Sequence, residues 1–278
     1  MAPTPLRFTQ AEHYSTNIEE QSALTSMAPH ANVLFTIADD SNAVWSIEPP
    51  ADAGGALRVE RLSPERGVLD GLEGATYDPE ARTLRVVTED PRQLWELEVS
   101  RDGEALKVSE PVRLGTLELP LTGSEELRRN KGWEGITTMP ASLSPDGAPY
   151  LIAVNEDSPR RVALFELKTL TPSGFADLPD GAEAHLSDLS DCAVGPTGTV
   201  FIVSDQGESF GEFELTKDDT AAGGWSLTLL EVTEIADPRP EAERRRRLKA
   251  EGIAFDLHGD LWVACERGKG LLVRFARQ

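Results

Sequence analysis

Short β-rich runs recur along this chain, at Leu84 to Thr88, Tyr150 to Asn155, Val200 to Ser204 and Leu261 to Cys265, each preceded by a turn rich in Pro, Gly or Asp. A further run follows each one: Leu94-Trp-Glu-Leu, Ala163-Leu-Phe-Glu-Leu, Gly211-Glu-Phe-Glu-Leu and Leu271-Leu-Val-Arg-Phe. Apolar and polar positions alternate there, as they do in half-buried strands. Ahead of each pair stands an opening segment: Glu73-Gly-Ala-Thr-Tyr, Glu134-Gly-Ile-Thr-Thr, Asp191-Cys-Ala-Val-Gly and Glu251-Gly-Ile-Ala-Phe. Ser22-Ala-Leu-Thr-Ser, Val33-Leu-Phe-Thr-Ile and Ala43-Val-Trp-Ser-Ile repeat the pattern nearer the N-terminus, with Ser in the leading acidic slot.

The five openings are spaced by 51, 61, 57 and 60 residues, room for four strands and a connection in each copy. A period of about fifty strand-like residues is the signature of a propeller. The expectation is an all-β chain, one five-bladed β-propeller domain over residues 1–278. Leu57 to Leu62, Val112 to Leu119 and Ser226 to Val232 are candidate fourth strands. The last copy stops at its third strand, so an N-terminal strand, Pro5 to Gln10, is expected to close it and protect both ends from being open sheet edges. Two inserts interrupt the spacing, Ser124 to Lys131 and Pro240 to Lys249, the second carrying Arg244-Arg-Arg-Arg.

Hydrophobic residues make up 39% and charged residues 27%, the balance of a soluble globular protein. The formal net charge is -21, which repels phosphate backbones and anionic membranes and concentrates cations. Nucleic acid and membrane are therefore excluded as expected partners, and a monomer is expected. The two cysteines, Cys192 and Cys265, lack metal-type spacing and read as reduced, buried thiols. Met1-Ala-Pro-Thr-Pro-Leu-Arg has no secretory pattern, so the sequence as it stands reads as cytoplasmic, with export the expectation if a signal peptide once preceded it.

Each second run ends on an acid: Glu89, Glu156, Asp205 and Glu266, with Asp39 in the first copy. If the first and second strands form a hairpin, leading and trailing acids become cross-strand neighbours at one end of every blade. Two carboxylates about 5 Å apart repel by roughly 3 kcal/mol at an effective dielectric near 20. A bound cation, basic partners or raised pKa values can each relieve that strain. The leading acids Glu73, Glu134, Asp191 and Glu251 sit on the innermost strands and are the first metal candidates. Asp39, Glu89, Asn155, Glu156, Asp205 and Glu266 are candidates for further ligands or for partners that hold the ligands. All are oxygen donors and no His or Cys recurs with them, which favours calcium, with magnesium second. The competing reading is that these acids accept backbone N–H groups and pair with Arg or Lys of neighbouring blades.

Asn130-Lys-Gly-Trp-Glu-Gly-Ile, Asp188-Leu-Ser-Asp-Cys-Ala-Val and Glu251-Gly-Ile-Ala-Phe-Asp-Leu-His-Gly-Asp-Leu-Trp-Val-Ala, in that order, resemble the SdiA-regulated propeller family and, more loosely, phytase-associated esterase-like propellers. The Glu-Gly opening of the last blade is also similar to sugar lactonases. The resemblance implies a calcium-associated propeller. Ser22 and Asp191-Cys192 depart from the Glu-Gly pattern, which implies an asymmetric site.

Two functions are compatible with these residues. One is a calcium-binding propeller that takes a small-molecule or peptide ligand at the channel mouth. The other is a calcium-dependent hydrolase acting on an ester, lactone or phosphoester, with Glu134 or His185 as candidate base and Arg128, Arg129 and Lys131 as candidate contacts to an anionic substrate. Whether the chain is an enzyme stays open at this point. The single Gly-x-Ser-x-Gly match, Gly207-Glu-Ser-Phe-Gly211, runs into the strand-like Gly211-Glu-Phe-Glu-Leu rather than into the helix a nucleophile elbow opens, which disfavours a serine hydrolase.

Overall fold

The computed structural model describes residues 4–39, 41–52, 54–62, 69–89, 91–118, 120–122, 132–156, 159–241, 247–267 and 270–278. The chain forms β1 (Phe8–Ser15), then β2 (Gln21–Ser26), β3 (Leu34–Ala38), β4 (Ala43–Glu48) and β5 (Arg58–Arg61). β6 (Leu72–Asp78), β7 (Thr83–Thr88), β8 (Gln93–Asp102), β9 (Ala105–Val108) and β10 (Val112–Thr116) follow. Next come β11 (Trp133–Met139), β12 (Tyr150–Asn155), β13 (Arg161–Glu166) and β14 (Pro172–Asp177), and after a single 3-10 turn at Ala182–Ala184, β15 (Asp191–Val194), β16 (Val200–Ser204), β17 (Ser209–Lys217) and β18 (Trp225–Glu234). β19 (Ala250–Phe255), β20 (Leu261–Cys265) and β21 (Leu271–Arg277) end it.

These strands make five antiparallel sheets, the blades of a five-bladed β-propeller: β2 to β5, β6 to β10, β11 to β14, β15 to β18, and β19 to β21 completed by β1. We number these blades one to five in that order. The second strand of every blade is buried at each of its positions. That is the reason β3, β7, β12, β16 and β20 read as nearly continuous apolar runs: a blade packs on a neighbour over both faces, so neither face is left for polar residues. Among the described residues the core divides into five clusters, one at each blade interface. The ring of interfaces closes between blades five and one, where Trp262 and Leu272 meet Leu24, Leu34 and Ile47.

Closure by an N-terminal strand holds, but that strand is Phe8–Ser15 rather than Pro5 to Gln10. It pairs with β21 from Phe8↔Arg277 to Ser15↔Leu271. Phe8 fixes its position by packing edge-on against Phe201 and Phe210 and at a tilt against Phe255. The three expected fourth strands are Arg58–Arg61, Val112–Thr116 and Trp225–Glu234, blade three adds Pro172–Asp177, and blade two carries an unexpected β9 that pairs with the C-terminal half of β8. Cys192 and Cys265 are buried and free. No helix among the described residues is long and apolar enough to cross a membrane.

Candidate functional site

The innermost strands β2, β6, β11, β15 and β19 all start at one mouth of the central channel, and their first residues decide what lines it. In blade two Leu72 pairs with Thr88 and Gly74 with Val87, so Glu73 falls in a β-bulge with no partner of its own. Bulges stand at the same place in blades one, three and five, at Ser22, Glu134 and Glu251. An extra residue in the strand re-aims its side chain, and these four residues all line one cavity of about 410 Å³.

Register corrects the sequence reading of blade four. Asp191 pairs with Val203, two residues before the trailing Asp205. The residues at that position elsewhere are Ala23, Gly74, Gly135 and Gly252. Ser190, not Asp191, therefore holds the leading slot of blade four, and Ser190 lines the cavity whereas Asp191 does not. Asp191 is completely buried one layer deeper. Its Oδ2 accepts the Ile253 N–H at 2.9 Å and the Leu24 N–H at 3.2 Å, joining blade four to blades five and one. A Cβ on Gly135 would lie 2.5 Å from its Oδ1, so the glycine there is a requirement of packing at the axis. Burial pushes the Asp191 carboxyl well above the usual range against the pull of the Ile253, Cys192 and Leu24 N–H groups.

The cavity gathers the remaining leading acids, Glu73, Glu134 and Glu251, and all five trailing acids, Asp39, Glu89, Glu156, Asp205 and Glu266. Three lining residues missed in the sequence occupy the position two before the leading slot: Glu20, Asp188 and Lys249. The signal for them was the fixed offset, since the carbonyls of Glu20, Gly71 and Lys249 accept the N–H groups of the trailing acids Asp39, Glu89 and Glu266 at 3.2, 3.0 and 2.8 Å. Asp188 is held by the Ser204 hydroxyl and by the Gln206 N–H at 3.0 Å. Among the described residues, ten carboxylates and one ammonium thus line the mouth.

Lys249 lies on one side. It contacts Glu266 closely and stands 3.5 Å from Glu251, and Arg267 adds a second cation 3.2 Å from Glu266. Glu73 and Glu134 lie across from this pair. Burial, reinforced by Asp39, Glu89 and Glu251, pushes Glu73 up to about 8. Burial and then the charge of Glu73 raise Glu134 well above the carboxylate range. Glu251 reaches about 7 through burial and Asp205, with Lys249 opposing. Asp205 is raised by burial and Asp188. The donor set is oxygen only, which suits a hard cation. Among the described residues, however, no three His, Cys, Asp or Glu side chains stand in a group ready to hold a metal ion. A cation would need these carboxylates to rotate inward or to be bridged by water.

Asn155 does not join the mouth: it is buried, and its amide donates to the Pro159 carbonyl at 2.8 Å, shaping the turn after β12. His185 is exposed at the end of the 3-10 turn and does not line the cavity; its carbonyl accepts the Ser209 hydroxyl at 2.7 Å. Arg128, Arg129 and Lys131, and Arg244 to Arg246 of the second insert, lie outside the described residues.

No protein-family model and no curated protein sequence matches the chain. Among solved structures, it is similar to the Myxococcus xanthus glutaminyl cyclase at 14% identity, over 99% of each chain, with a TM-score of 0.55. It is similar to a luciferin-regenerating enzyme at 11% identity, over 95% of each chain, with a TM-score of 0.54. At such identities the likeness establishes a shared β-propeller fold, in which these two neighbours are enzymes.

Proposed function

We propose that the acidic mouth binds a divalent cation, calcium before magnesium, and that the loaded mouth receives a small-molecule or peptide ligand. The observation that carries this reading is the crowding of carboxylates, ten among the described residues, around one cavity. Burial and the charges of neighbouring acids raise Glu73 to about 8 and Glu134 well above the carboxylate range, so both favour the protonated form. A dication displaces those protons and removes the repulsion at once. Glu73, Glu134 and Glu251 are the ligands we assign, with Asp39, Glu89 and Glu156 supplying further oxygens. The motif order shared with the SdiA-regulated propellers supports the same reading.

Thermal unfolding of chelator-treated protein tests it. A ligand at 100 times its Kd stabilises by about 2.7 kcal/mol, which in a domain of this size is a rise of roughly 5 °C in Tm. Calcium should give such a rise, magnesium a smaller one, and Glu134→Gln should lose most of it. An unchanged Tm over millimolar calcium would remove the metal from the account.

The second reading, a calcium-dependent hydrolase of an ester, lactone or phosphoester, is favoured by one feature. Glu73 near 8 and Glu251 near 7 titrate around neutrality, as acid–base groups must. Both structural neighbours carry the names of enzymes. His185 contributes nothing here from its exposed position, which leaves Glu134, once its proton has been displaced, as the base this reading requires. A panel of lactones, aryl esters and phosphodiesters, assayed with and without chelator, separates the two: turnover lost with chelator and in Glu134→Gln supports the hydrolase, and none supports the binding protein.

A further inference from the structure

The channel has a second mouth, and its chemistry is opposite to the first. A cavity of about 440 Å³ opens between the C-terminal ends of the innermost strands and shares no lining residue with the acidic one. The layer of Asp191, Gly74, Gly135 and Gly252 lines neither and lies between them. The volume falls in the range of small-molecule sites, about 300–1,000 Å³.

Its floor is apolar, formed by the buried Leu24, Cys192 and Ile253, and Leu257 at the rim is 43% exposed. Two threonine hydroxyls in the throat are already engaged, Thr25 accepting the Tyr77 N–H at 3.1 Å and Thr76 accepting the Thr138 N–H at 3.0 Å. The Thr137 hydroxyl makes no hydrogen bond among the described residues.

The charge exposed at this mouth is that of Arg277. Among the described lining residues Asp256 is the one carboxylate, and it is buried with both oxygens engaged: Oδ1 accepts the N–H groups of His258 and Asp260 at 2.8 and 3.0 Å, and Oδ2 accepts the Trp262 indole N–H at 3.0 Å. Arg277 and His258 are exposed at the rim, and among the described residues neither side chain makes an ion pair. The guanidinium lies over Gly259, where a Cβ would be 3.5 Å from Nη1. In a chain of net charge -21, an arginine with no ion pair among the described residues, in one cavity with the partly exposed apolar Val194, Phe255 and Leu257, selects an anion with an apolar body.

We propose that this second mouth is a binding site for a small monoanionic compound with a flat apolar body, such as an aryl carboxylic acid. The acid group meets Arg277 at the rim, the ring rests against Val194, Phe255 and Leu257, and Thr137 supplies a hydroxyl for a polar substituent. The site is independent of the acidic mouth.

Naphthalene-1-carboxylate is the probe, followed by isothermal titration calorimetry and by chemical-shift changes of the labelled protein. One equivalent should bind saturably, and naphthalene-1-methanol, which lacks the charge, should bind at least fivefold more weakly. Arg277→Glu, a change at an exposed side chain, should weaken the acid at least fivefold and leave the alcohol unaffected. Val194→Trp, which fills the cavity from its wall, should abolish both, while Glu134→Gln at the other mouth should change neither. Absence of saturable binding, or equal binding by wild type and Arg277→Glu, would overturn the proposal, as would loss of binding in Glu134→Gln.

Discussion

Asp191 stands where its counterparts are Ala23, Gly74, Gly135 and Gly252, and its carboxylate satisfies main-chain donors from two other blades. Asp191→Ala leaves the Leu24 and Ile253 N–H groups buried without that acceptor, at about 1–3 kcal/mol each. Urea unfolding should therefore show a loss of roughly 2–5 kcal/mol. Asp191→Asn keeps an oxygen acceptor of the same shape for these donors, so a loss of about 1 kcal/mol or less is expected. Gly135→Ala places a Cβ 2.5 Å from Asp191 Oδ1 and Cα, and overpacking of this kind costs about 1–3 kcal/mol. An Asp191→Ala protein as stable as wild type would contradict this account of the axis. The sequence reading of this position went wrong by one residue, for a physical reason. A β-bulge is invisible in hydrophobic patterning, so the acid of Asp191-Cys192 was matched to the Glu of Glu-Gly. The better match was in the chain all along: Ser190-Asp191 parallels Ser22-Ala23, a small hydroxyl residue in the leading slot followed by the axial position.

β1 carries the closure of the ring. Removing residues 1–15 would leave β21 as an open edge and strip Phe8 from Phe201, Phe210 and Phe255. Unpaired edges template aggregation, so the truncated chain should melt several degrees lower and sediment as oligomers. A synthetic peptide of residues 4–16 should restore the monomer, and a truncated chain that stays monomeric at full Tm would show the strand to be dispensable. The inner three strands of each blade were legible because burial on both faces writes a dense apolar signature. β1 was placed a few residues too early because its inward face is only half buried, in strict alternation with exposed residues, and nothing local marks its start. β9 was missed for a similar reason: Ala105, Lys107 and Val108 leave it a single fully buried position, Leu106.

At the scale of the molecule, the two ends of the channel differ in charge, and the acidic end links stability to pH. Glu73 and Glu251 have folded-state pKa values raised to about 8 and about 7 from an ordinary carboxylate value of 4.5, so between those limits the folded protein binds more protons than the unfolded chain. Stability therefore falls as pH rises from about 5 to 8. Calcium should flatten that slope, because only the deprotonated mouth binds it, and its apparent affinity should weaken as pH drops through the same window. Denaturant melts at pH 5.5 and 8 with and without calcium check both signs. The clustering of the acids was legible from the hairpin symmetry of the repeat. Lys249 as a resident counter-charge was not, since its neighbours are set by the bulged entry into β19. The most direct test of the central claim is anomalous scattering from crystals grown with calcium. The account predicts one strong peak in the acidic mouth within coordinating distance of Glu73, Glu134 and Glu251 carboxylates that have turned inward. No peak there would contradict it.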